Sequence, residues 1–77
     1  MSSEVIHTKF NKDVDTIEDF TRNNNLSIDN VYDSLTNIFF WKKTKKYYLN
    51  ISYYGYYIFY VNKKNNKIKQ LKFKYYI

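Results

Sequence analysis

The chain holds few groups that could make or break a bond. His7 is the single histidine, near the N-terminus beside Glu4 and Lys9, and no cysteine exists to pair with it. Nucleophilic and acid–base catalysis both need a base in hydrogen-bond reach of a partner, and a lone terminal imidazole supplies neither. Without cysteine there is also no disulfide and no thiolate metal site. The serines sit in no nucleophile turn. Asp13, Asp15, Glu18 and Asp19 are spaced closely enough to suggest oxygen ligands for a hard cation, but the stretch lacks the Gly and the distal Glu of an EF-hand. Helix capping and compensation of the helix dipole explain the same carboxylates. These residues predict a protein that is not an enzyme and carries no cofactor or metal.

Binding chemistry is better represented. In the C-terminal half, Tyr48, Tyr54, Tyr56, Tyr60 and Tyr76 are interleaved with lysines. Lys42, Lys43, Lys45, Lys46, Lys72 and Lys74 could neutralise phosphates or acidic groups while the rings supply stacking surface. Together these form the candidate binding face. Asp29 and Asp33 mark a candidate acidic face elsewhere.

Composition alone is weak support, because Lys, Asn, Tyr, Ile and Phe all have A/T-rich codons and account for 46 of the 77 residues. Codon bias does not order charge, however. All seven acids lie in the first 33 residues, where Lys9, Lys12 and Arg22 bring the sum to −4. Residues 34–77 carry ten lysines and no acid, for +10. The net +6 therefore hides two segments of opposite sign.

The elements that must position these groups follow from periodicity. Asp15 or Thr16 can cap a helix over about 14–23, with Val14, Ile17 and Phe20 one turn apart and an Asn-rich stop at residues 23–25. Ser27 can cap a second helix over about 28–39, because Ile28, Val31, Tyr32, Leu35, Ile38 and Phe39 recur at helical spacing. Tyr47, Leu49, Ile51 and Tyr53 alternate with polar neighbours, as in a strand. Gly55 marks a turn or bulge, residues 56–62 read as a central strand, and Lys63–Asn66 as a turn. Leu71, Phe73, Tyr75 and Ile77 alternate again, with Ile68 out of phase, which predicts a bulge or a late strand start near Lys69–Gln70. A short strand around Val5–Phe10 is a further candidate. The fold expected is α+β, with two N-terminal helices packed on a three-stranded antiparallel sheet that extends to four if the N-terminal strand joins it.

Residues 16–35 also resemble a helix-turn-helix, through Phe20, Asn25, Leu26, Ser27, Val31 and Leu35, with the basic hairpin in the place of a wing. The resemblance implies a dimeric transcription regulator. Its second helix would present Asp29, Asn30 and Asp33 to DNA with no Lys or Arg, and carboxylates repel phosphates. Two packed amphipathic helices give the same pattern.

The length fits one domain over 1–77, an acidic helical segment at about 11–40 followed by a basic aromatic one at about 41–77. The start has no basic-then-apolar leader and no stretch reaches membrane-spanning length, so a cytoplasmic protein with no membrane partner is expected. The function expected is that of a small binding protein, an inhibitor or modulator from a phage or other mobile element. It would dock on a host nucleic-acid-handling complex through its Lys/Tyr face. The alternative is direct binding of nucleic acid, either single strands or RNA by the sheet or a duplex by the winged helix. The terminal strand offers a free edge through which a homodimer could form.

Overall fold

The structure, a computed structural model, describes residues 9–34 and 43–76. The first regular element among the described residues is a helix, α1 (Ile17–Asn23), which starts three residues later than the expected 14–23 and leaves Val14 in the turn before it. Thr16 caps it: the Thr16 hydroxyl accepts from the Asp19 N–H, and the Asp19 carboxylate accepts from the Thr16 N–H. This closes the capping box that the spacing predicts. Arg22 lies 2.6 Å from the Asp19 carboxylate one turn on. The Asn24 side-chain amide donates to the Phe20 carbonyl, and Asn25 turns the chain at φ 57°. Asparagine tolerates that left-handed conformation better than most residues.

Over its described residues, 28–34, the expected second helix is not there. Ser27 caps only a single 3-10 turn, Ile28–Asn30, and the chain then extends into strand β1 (Val31–Ser34). The segment Ser-Ile-Asp-Asn-Val-Tyr-Asp-Ser consists of residues that favour caps, turns or strands over helix interiors. Helical spacing of its apolar residues is outweighed by pairing: Val31, Tyr32, Asp33 and Ser34 lie opposite Leu49, Tyr48, Tyr47 and Lys46 of the next strand. The rest of the expected helix, 35–39, lies outside the described residues. The helix-turn-helix resemblance therefore loses its recognition helix to a strand.

Three further strands complete the sheet: β2 (Thr44–Asn50), β3 (Gly55–Asn62) and β4 (Ile68–Tyr75). They form one antiparallel sheet in the order β1-β2-β3-β4. Among the described residues the fold is thus one seven-residue helix and a 3-10 turn on a four-stranded meander, not two helices on three strands. The fourth strand comes from Val31–Ser34. Of the candidate strand at Val5–Phe10, only Lys9 and Phe10 are described, and neither is in a strand.

The bulge falls where the phase break puts it. Tyr60 pairs with Gln70 and Val61 with Ile68, leaving Lys69 as the extra residue. Gly55 opens β3 with no positive φ. Its role is space, because a Cβ there would collide with the Lys74 carbonyl oxygen and come within 2.5 Å of Phe73 Cζ.

Alternation sends Leu49, Tyr57, Phe59 and Val61 to one side of the sheet, where they bury together with Ile17, Phe20 and Ile68. Phe20 has no exposed surface and meets the rings of Tyr57 and Phe59 edge-on at 5.2 and 5.1 Å. Such edge-to-face pairs add about 0.5–1.5 kcal/mol each beyond the area they bury. α1 is thereby fixed on one face, and the other is left to the lysines and tyrosines. No helix among the described residues is long and apolar enough to cross a membrane.

Candidate binding face

Cross-strand register decides which side chains share the face turned away from α1. One row across the sheet reads Tyr32, Tyr48, Ile58, Lys72. The next reads Ser34, Lys46, Tyr60, Gln70, and on the other side Asn50, Tyr56 and Lys74 follow. Cβ atoms directly opposite on adjacent strands are close enough to interact, so each row is a contact unit.

Ring and cation contacts join these rows into one chain. The Lys72 ammonium stands 5.7 Å from the Tyr60 ring centre, and Lys46 lies 6.0 Å from Tyr60 and 5.5 Å from Tyr48. Tyr48 meets Tyr56 edge-on at 5.5 Å, and Tyr56 meets Tyr76 at 5.2 Å with the planes tilted by 35°. The Tyr76 hydroxyl donates to the Asn50 side-chain oxygen, which ties the last ring to β2. Lysine stems laid on aromatic faces keep their charge in water while covering apolar surface. Ile58 and Tyr60 are only 5% and 9% exposed although they lie on the face away from α1.

The cations also act on the rings. The Tyr48 phenol is held below its ordinary pKa, first by its hydrogen bond with the Ser34 side chain, then by Lys46 and the charge of Lys74. Hydrogen bonds and positive charges favour the phenolate, and they oppose the smaller cost of partial burial.

The expected site residues separate into three groups. Lys46, Tyr48, Tyr56, Tyr60, Lys72, Lys74 and Tyr76 converge on the open face. Lys45 pairs with Val61 on the α1 side of the sheet, and Lys43 precedes β2 at its end, both exposed. Tyr54 lies in the bend before Gly55, where it lines a shallow cleft with Tyr53, Tyr75 and Tyr76. Lys42 lies outside the described residues. Tyr32, half-exposed beside Tyr48, belongs to the face and is absent from the sequence-based set. Its β-favouring neighbour Val31 was the available signal.

The acids lie elsewhere. Asp33 pairs with Tyr47 on the α1 side, and Asp29 sits exposed in the 3-10 turn, its N–H donating to the Ser27 hydroxyl. Asp15 is buried and accepts from the Asn11 N–H, while Asp19 serves the α1 cap. Among the described residues no three His, Cys, Asp or Glu side chains come together. Lys46, Lys72 and Lys74 thus share the sheet face turned away from α1, while Asp33 and Lys45 lie on the α1 side. No protein family, curated protein or solved structure matches this chain.

Proposed function

We propose that this is a small non-enzymatic binding protein, an inhibitor or modulator, that docks through its open sheet face on a nucleic-acid-handling complex. The observation that carries the reading is the contact chain Lys72–Tyr60–Lys46–Tyr48–Tyr56–Tyr76. It presents fixed positive charge in an aromatic frame, suited to a phosphate-bearing or acidic surface. The acids on the other side would repel that same surface, so charge also sets which side docks. Complementary charge of this kind contributes more to encounter rate and orientation than to affinity.

Affinity capture from the natural host tests the proposal. A nucleic-acid-handling complex should co-purify with the native protein and with Glu18→Lys on α1, and be lost with Lys46→Glu/Lys72→Glu. Capture that ignores the face substitutions would overturn it. Direct binding of single strands is the second reading, favoured by the half-exposed Tyr76 ring beside Tyr56. It requires labelled single-stranded oligonucleotide to bind with a steep salt dependence and to be released by Tyr56→Ala.

A further inference from the structure

The edge of β4 is built differently from the face beside it. The Tyr76 N–H donates to the Tyr54 carbonyl, so even-numbered β4 residues direct their N–H and C=O groups to β3. The odd-numbered ones, Leu71, Phe73 and Tyr75, direct theirs away from the sheet. Ile68, beyond the bulge, also points outward, but both its groups are taken: its N–H donates to the Asp15 carbonyl, and its carbonyl accepts from the Asp13 N–H at 2.8 Å each. The turn at Asp13–Asp15 therefore covers the start of this edge. Among the described residues nothing pairs with the backbone of Leu71, Phe73 and Tyr75 on that side.

An open strand edge is a template for another strand, and its side chains choose which one. A second copy of β4 is a poor occupant. Antiparallel self-pairing centred on Phe73 would set Lys72 of each copy opposite Lys74 of the other, and like charges directly opposite are destabilising. An acidic strand meets the opposite situation. Lys72 and Lys74 stand two residues apart on the open face with their carbonyls and amides turned to β3. An incoming antiparallel strand would face them as non-hydrogen-bonded pairs, the closer kind. Acid, apolar, acid is the sequence that fits, with the apolar residue opposite Phe73.

We propose that the free edge of β4, from Leu71 to Tyr75, captures an extended acidic segment of a partner protein as a fifth antiparallel strand. The segment carries carboxylates at alternate positions, against Lys72 and Lys74. Leu71, Phe73 and Tyr75 supply the main-chain hydrogen bonds. In that register the lysines disfavour self-pairing, and they admit an acidic partner at the same edge.

A capped hexapeptide of alternating glutamate and valine is the probe, with NMR-detected amide exchange of the whole protein as the readout. Bound peptide should slow exchange of the Leu71, Phe73 and Tyr75 amides by about tenfold or more. The amides of Lys72 and Lys74, already bonded to β3, should change less. N-methylation of the central valine should abolish binding, and so should Lys72→Glu/Lys74→Glu in a protein with an unchanged amide spectrum elsewhere. Absence of binding at millimolar peptide would overturn the proposal. Equal binding of the N-methylated peptide, or binding without protection of the odd-numbered amides, would overturn it too. Failure at this edge is separable from failure of the face, whose test rests on Lys46 and Lys72 and requires no strand pairing.

Discussion

Lys46 lies directly across the β2–β3 ladder from Tyr60, and its ammonium stands 6.0 Å from the centre of that ring. Lys72 reaches the same ring from β4 at 5.7 Å. This tyrosine, bracketed by two lysines, lies on the sheet face turned away from α1 and outside the hydrophobic cluster that holds Phe20. Its position brings two positive charges onto a rigid apolar surface, and removing that ring should loosen the lysines.

The core depends on Phe20. Phe→Ala at a fully buried site costs about 3–5 kcal/mol, against a total of about 4–12 kcal/mol for a domain of this length. Phe20→Ala is therefore expected to leave a large unfolded population at 37 °C. Near-UV circular dichroism and a urea titration would read it directly.

Gly55→Ala is expected to destabilise by about 1–3 kcal/mol through overpacking. Phe73 could turn its ring aside, but the Lys74 carbonyl is backbone held in the β3–β4 ladder and cannot. A lowered urea midpoint with an unchanged m-value would show the effect.

The α1 cap gives stability an acid-side dependence. Asp19 is held below the usual carboxylate pKa, first by the Thr16 N–H and then by Arg22. Its contribution is present above the unfolded value of about 3.9 and is lost as pH falls through the lower folded value. Asp19→Asn should flatten this acid-side decline in urea midpoint. Thr16→Ala, which removes the other half of the box, should cost about 1 kcal/mol at neutral pH.

Two tyrosines should titrate in opposite directions from the usual value of about 10. Ser34 and the nearby lysines bring Tyr48 down, whereas burial pushes Tyr57 up. The Tyr57 contribution to stability is whole below about 10 and is lost as pH rises through its higher folded value. Ultraviolet titration should lose its early phase in Tyr48→Phe and its late phase in Tyr57→Phe. Ser34→Ala should move the early phase upward.

Strands β2, β3 and β4, the α1 cap, the αL asparagine and the bulge at Lys69 were legible in the residues, because alternation and capping are local rules. So was the open face from Lys46 to Tyr76, since period-two alternation alone assigns its members. The segment after Ser27 was not. Ile28, Val31 and Tyr32 satisfy helical spacing over one turn, and only pairing with Tyr47–Leu49, distant in sequence, selects a strand instead. That error hid Tyr32 from the candidate face, and it supported a recognition helix that the fold does not contain.

The central claim is that the open face is the docking surface, and lysine footprinting of the captured complex tests it most directly. Reductive methylation of the free protein and of the complex would be compared lysine by lysine. The account predicts that Lys46, Lys72 and Lys74 lose reactivity in the complex while Lys63 and Lys64, exposed at the β3–β4 turn, keep theirs. Protection of Lys63 and Lys64 with Lys46 and Lys72 still reactive would contradict it, as would a protein that captures nothing.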